Sequence, residues 1–234
     1  MADTLAPRAI IGVMTPAMNT VVQPELELLR PKGVTNQMQR FRLGGAAVSE
    51  DLPDEAAKLM DCGPQAIAIG LTTDAGPGGP TKLAARCAEI EVALGVPVLG
   101  ASGANYAALR ALGARKIGVV TPFSPDVDAV VRANTEAEGF EVVAIEGTRA
   151  PSLPAICETP TETVREVFAR VAEVPSDAIL QVGTALPVIA VIEELEAQHE
   201  RPVVACNAAV YWQALRCIGI DDPLPGYGRL LEAY

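Results

Sequence analysis

Two adjacent threonines and an aspartate, Thr72-Thr73-Asp74, sit where an apolar run gives way to a Gly- and Pro-rich loop, in the stretch Ala66 to Gly79, AIAIGLTTDAGPGG. Two hydroxyls and two backbone N–H groups beside a helix start suit a carboxylate or a developing enediolate. Capping of the loop by the same hydroxyls is the plainer alternative. Asp74 is the acid directly in this loop. In a cleft it can serve as a general base, whereas on an open loop it only caps a turn. A second stretch has the same form, Ala178 to Leu186, AILQVGTAL, and sets Thr184 on Thr72 and Gly183 on Leu71. Asn19 follows the first apolar run of the chain and can bind a substrate or cap the next helix. Cys206 closes the run Pro202 to Cys206, PVVAC, and offers a thiol, although a buried cysteine more often acts as a small hydrophobe. Asn207 beside it, and Ser102 at the matching place in the first half, also stand at strand ends.

These residues need elements to hold them. A short apolar run bounded by turn residues reads as a buried strand of a parallel sheet. Polar residues at its carboxyl end then lie where open α/β sheets bind ligands. Strands are expected at Arg8 to Thr15, weakly at Gln39 to Leu43, at Ala66 to Gly70 and at Pro97 to Ser102. Helices follow over Val21 to Leu29, Glu50 to Cys62, Pro80 to Leu94 and Tyr106 to Leu112. The second half repeats the plan, with strands at Lys116 to Thr121, Phe140 to Ile145, Ala178 to Gly183 and Pro202 to Cys206. Its helices are Asp126 to Glu138, Thr161 to Val174 and Pro187 to Glu200. Ile117-Gly118-Val119 falls on Ile11-Gly12-Val13, and Thr121-Pro122 on Thr15-Pro16. Self-similarity of four successive elements implies a duplication. The expected fold class is therefore α/β, with two similar Rossmann-like lobes, each a parallel sheet flanked by helices, and the active site in the cleft between them. Lobe one takes residues 1–113 together with 216–234, and lobe two takes 114–215, with the tail Pro223 to Tyr234 folding back onto lobe one.

The totals set the remaining bounds. A chain of 234 residues, half of them hydrophobic, can bury a sizeable core. A net charge of −11 argues against nucleic acid and anionic membranes as partners, while leaving small anionic substrates open. There is no apolar stretch of membrane-spanning length and no signal-peptide pattern. Five scattered cysteines without a C-x-x-C pair suggest neither a disulfide framework nor a zinc site, and fit a reducing cytoplasm. Cys62, Cys87, Cys157 and Cys217 fall on helices or loops and read as structural. His199, the one histidine, reads as a surface residue at a helix end. Gly76-Pro77-Gly78-Gly79 lacks the phosphate-loop signatures and is read as a mobile lid beside the cleft.

With these residues in view, the chain resembles a known group. Ile11-Gly12, Thr15-Pro16 and Asn19-Thr20 are similar to the opening motif of maleate cis-trans isomerases. Leu109 to Pro122 and Pro225 to Leu230 look like arylmalonate decarboxylases. Both belong to the aspartate/glutamate racemase superfamily, and the resemblance runs over nearly the whole chain. It implies two-sided proton transfer on a small carboxylate by cysteines at the central strand ends of the two lobes. The decarboxylases keep only the second of these cysteines. In this chain the two positions are Leu71 and Gly183, so neither carries a thiol. Phe123 stands where the relatives have tyrosine. Thr72-Thr73 match the Thr-Ser pair that cradles the carboxylate, and Asn19 matches the asparagine of the isomerase motif.

The resemblance implies a cofactor-independent isomerase or decarboxylase acting on a small (di)carboxylic acid through an enediolate-type intermediate. A homo-oligomer is expected. Substrate binding is assigned to Asn19, Leu71, Thr72, Thr73, Phe123, Gly183, Thr184 and Asn207, and acid–base work to Asp74 or Cys206. Two rivals stand beside this reading: a hydrolase or hydratase with water activated by an aspartate, and a non-catalytic protein that keeps the anion cradle.

Overall fold

Apolar β-branched residues concentrate in the first run of the chain, and Ala9–Pro16 forms β1 with all but one residue buried. The structure, a computed structural model, describes residues 3–43 and 48–234. Lobe one continues with α1 (Val22–Leu28), β2 (Val34–Phe41), α2 (Val48–Leu59), β3 (Ala66–Ile69), α3 (Gly79–Leu94), β4 (Val98–Gly100) and α4 (Ala101–Ala111). Lobe two comprises β5 (Lys116–Thr121), α5 (Pro125–Ala137), β6 (Glu141–Gly147), α6 (Leu153–Cys157), α7 (Thr161–Ala172), β7 (Ala178–Gln181), α8 (Ile192–His199), β8 (Val203–Ala205) and α9 (Cys206–Cys217). The tail helix α10 covers Arg229–Ala233. The sheets are ordered β2-β1-β3-β4 and β6-β5-β7-β8, and every pairing is parallel. Identical strand order in both halves bears out the two-lobe duplication expected from the sequence.

Side-chain parity explains how the lobes join. On β3, Ala66 and Ala68 face a core that continues into lobe two, whereas Ile67 and Ile69 face a separate cluster with Leu52 and Leu83. Burial of each of these isoleucines is worth about 1.5–3 kcal/mol. The small alanines admit α9, which lies across β3 and β4 as well as against α1 and α4. In reciprocal fashion α4 reaches β7 and β8. Each lobe's last helix thus crosses to the other sheet, so α9, assigned to lobe two by sequence, packs largely on lobe one. Tyr106 of α4 stacks on Phe140 with ring centroids 5.9 Å apart, and the Arg110 guanidinium lies over the same ring.

Three expectations shift. β2 begins at Val34, five residues before the weak strand read from the sequence. Cys206 and Ser102 do not end strands; they occupy the first turns of α9 and α4. The tail helix packs on α9 and β8: Glu196 of α8 accepts from the backbone N–H groups of Val203 and Arg229, while Arg8 of lobe one pairs with Asp222 just ahead of the tail.

Candidate active site

The carboxyl ends of β3 and β7 meet between the lobes, as the switch-point rule for open parallel sheets requires. Thr184 joins them. Its hydroxyl donates to the Gly70 carbonyl at 3.0 Å and accepts from Asn19 Nδ2 at 3.2 Å. Asn19 Oδ1 accepts from the Val21 and Val22 N–H groups, so one side chain both opens α1 and reaches lobe two. Behind this link lies a buried carboxylate. Glu25 accepts from Val188 N and Ile189 N through one oxygen and from Asn207 Nδ2 through the other. Asn207 also donates to the Thr184 carbonyl at 3.0 Å. Burial holds the Glu25 carboxyl above its ordinary value, although these three bonds pull it down.

In front of the link a cavity of about 210 Å³ opens between the lobes. Pro16 and Pro122, the prolines of the repeated Thr-Pro pairs, line it from equivalent places in the two lobes. So do Leu71 with Thr72 and Gly183 with Thr184, along with Asn19, Met18, Ala75, Ala185 and Phe123. Leu43 contributes from beyond β2, and Leu153, Ile156 and Cys157 of α6 contribute from lobe two. Neutral polar side chains, Asn19, Thr72 and Thr184, thus stand in an otherwise apolar lining. That suits a small ligand with one polar end.

Of the sequence candidates, Asn19, Leu71, Thr72, Phe123, Gly183 and Thr184 come together at this cavity. Thr73 is adjacent but not part of the cavity lining, and its N–H donates to Ser102 Oγ at 3.1 Å. Asp74 does not reach the cavity. It is 0% exposed, with one carboxylate oxygen 2.5 Å from Ser102 Oγ and the other accepting from the Tyr106 hydroxyl at 2.7 Å. Burial pushes its carboxyl up, and the two side-chain bonds only partly oppose that. Cys206 is also fully buried, 3.4 Å from Gln181 Oε1, with its thiol pushed up by desolvation and next by the charge of Glu25. Asn207 stands behind the cavity wall on Glu25.

The loop after Asp74 is pinned rather than free. Asn134 of α5 donates to the Asp74 and Gly76 carbonyls and accepts from the Gly78 N–H. At Gly79 an added Cβ would overlap the Thr73 carbonyl oxygen, so the glycine permits the close turn into α3. Sequence reasoning missed the α6 side of the cavity and with it Cys157, because a five-residue helix between prolines leaves no periodic signal. The repeated Thr-Pro pairs were the available pointer to Pro16 and Pro122.

Two lobes of identical strand order with a cavity at their joined strand ends define a racemase-type α/β scaffold. Residues 12–231 match the family model described as arylmalonate decarboxylase, and the chain belongs to that family. It is 29% identical over 192 residues to the arylmalonate decarboxylase of Bordetella bronchiseptica, covering 81% of this chain and 80% of that one. A maleate isomerase of Nocardia farcinica is 25% identical over 95% of both chains. Among solved structures, unliganded arylmalonate decarboxylase superposes with a TM-score of 0.80 at 26% identity, covering 95% of this chain and 98% of that one. The maleate isomerase Iso of Pseudomonas putida S16 gives 0.85 at 22%, over 96% and 98%, and shares the fold. Among the described residues no helix is long and apolar enough to cross a membrane, and no three metal-ligating side chains cluster.

Proposed function

We propose that the protein decarboxylates a small 2-substituted malonate-type acid in the inter-lobe cavity. The observation that carries this is the lining: neutral hydrogen-bonding groups, Asn19, Thr72 and Thr184, set into a wall of Pro16, Leu71, Pro122, Phe123 and Ile156. One carboxylate takes the polar groups. A second carboxylate among the apolar side chains loses its hydration without gaining a cation, which favours its departure as carbon dioxide. The electron pair of the broken C–C bond passes to the α-carbon and spreads into the retained carboxylate as an enediolate. The Thr72 hydroxyl and the second amide hydrogen of Asn19, the donors not already engaged within the protein, are the groups that can stabilise the added charge. The α-carbon then takes a proton. An isomerase acting on an unsaturated dicarboxylate is the second reading, favoured by the likeness to maleate isomerases over 95% of the chain. Activation of water by Asp74 has no support in the geometry, since both of its oxygens are engaged away from the cavity.

Proton NMR in deuterium oxide with a panel of 2-alkyl- and 2-arylmalonates, maleate and matching monoacids tests the proposal. Decarboxylation with one deuterium at the α-carbon is expected, and interconversion of maleate and fumarate would move the assignment to the isomerase. Thr72→Ala should lower kcat/KM by about 10²–10³-fold. Failure of every acid on the panel to bind or react sinks the proposal.

A further inference from the structure

The strand ends that frame the cavity present Leu71 and Gly183, which can neither give nor take a proton, and the backbone confirms that position 183 is built for glycine. Gly183 has φ +102°, and a Cβ there would lie 2.8 Å from Pro122 Cγ. A proton donor for the reaction must therefore come from another wall. Among the described residues lining the cavity, the side chains are apolar, amide or hydroxyl with a single exception, the thiol of Cys157. Thiols as a class exchange protons close to neutral pH, whereas amides and aliphatic hydroxyls do not. Cys157 is the last residue of α6, half-buried, and directly follows Ile156, which is 4% exposed and lines the same cavity. Ile156 thus anchors the helix against the pocket. Ser152 Oγ caps the helix at Ala155 N, and Thr159 holds its far end through Ile156 O and Ala155 O. The other thiols are placed differently: Cys87 and Cys206 are buried outside the cavity wall, and Cys62 and Cys217 are exposed elsewhere.

We propose that Cys157 is the proton donor of this cavity, a catalytic residue supplied by a lobe-two helix instead of by either central strand end. The inference rests on the carboxylate-binding reading above. After the C–C bond breaks and carbon dioxide leaves, the enediolate α-carbon takes the proton of the Cys157 S–H. A C–H bond forms, the S–H bond breaks, and the S–H electron pair stays on sulfur as thiolate. The thiolate recovers a proton from water as the monoacid departs, so charge and protons balance without any oxidant or metal.

The test combines labelling and kinetics on the intact protein. Iodoacetamide labelling mapped by peptide mass spectrometry should modify Cys157, and a saturating monocarboxylate such as phenylacetate should slow that modification at least tenfold. Labelling of Cys62 and Cys217 should be unaffected. With a malonate found to turn over, Cys157→Ala should lower kcat by about 10²–10⁴-fold while KM changes little. Cys157→Ser, which keeps the volume without the acidity, should not restore the rate. If calorimetry shows the acid binding but Cys157 labels equally with and without it, or if Cys157→Ala keeps kcat within twofold, the inference is overturned and the decarboxylase reading stands. If no acid on the panel binds, both fall together.

Discussion

At the scale of single residues, the centre of the site is decided by what position 183 tolerates. Its φ of +102° and the nearness of Pro122 leave no room for a side chain. Gly183→Ala is therefore expected to destabilise the protein by about 2–4 kcal/mol, through backbone strain and steric overlap. Urea unfolding followed by circular dichroism measures it, and a change below about 0.5 kcal/mol would show that the Pro122 loop yields freely. The sequence made residue 183 legible as the partner of Leu71, because the repeat aligns them. It could not reveal the φ value, which depends on how the β7 end turns against Pro122. Asn19 reads from the sequence as helix cap or site residue; its Oδ1 accepts from the start of α1 and its Nδ2 bonds Thr184 at the edge of the cavity. Asp74 shows the converse. A polar loop residue has no sequence mark of burial, and here Ser102 and Tyr106 draw it inward.

At the scale of elements, the lobes are latched by a buried carboxylate. Glu25 on α1 receives two backbone N–H groups from the 188–189 turn ahead of α8 and the amide of Asn207 on α9. Glu25→Ala leaves three buried donors without acceptors, and a loss of about 3–5 kcal/mol is expected. Glu25→Gln keeps one oxygen for the backbone donors but opposes its amide to Asn207, so about 1–3 kcal/mol is expected. Differential scanning calorimetry ranks the two, and equal midpoints for wild type and Glu25→Ala would refute the latch. Elements with strong apolar runs, β1, β3, β5 and β7, were readable because they are buried on both faces. β2 was not, since Thr35, Asn36, Gln37, Gln39 and Arg40 dilute its pattern; eight residues of register with β1 hold it as a strand. α6 escaped notice because five residues are too few for a helical period, yet it supplies a full wall of the cavity.

At the scale of the whole molecule, burial of acids sets the pH response. Glu25 and Asp74 have native values raised above the 4.5 and 3.8 of unfolded carboxyls, with desolvation the first cause in both. The native state therefore keeps these protons longer than the unfolded chain. Their contribution is fully present below the unfolded values and is lost as pH rises through the higher native values. Asp177 and Asp222 are shifted the other way but are exposed, so solvent screens most of their effect. The self-repulsion of a chain with a net charge of −11 adds to the decline at higher pH. Stability should thus fall as pH rises above the unfolded carboxyl values and through the higher native ones. Asp74→Asn keeps an acceptor for one of the two hydroxyls and turns an amide donor to the other, without an ionisable group, and should flatten part of that slope. Urea midpoints for both proteins across this range provide the measurement, and parallel slopes would exclude Asp74 as a source.

The sequence by itself determined the duplication and the succession of strands and helices in each half, and it marked the strand ends expected to face the cleft, because hydrophobic periodicity and repeated motifs are local properties of the chain. It also carried the family, through motifs spread from Ile11 to Leu230. Only the tertiary structure decided which polar residues reach the cavity. It sent α4 and α9 across to each other's sheets, drew Asp74 and Cys206 into the core, and set α6 with Cys157 against the two strand ends. Those choices depend on packing between segments far apart in the chain, such as Thr184 on Gly70 and Asn207 on Glu25, and no local pattern encodes them.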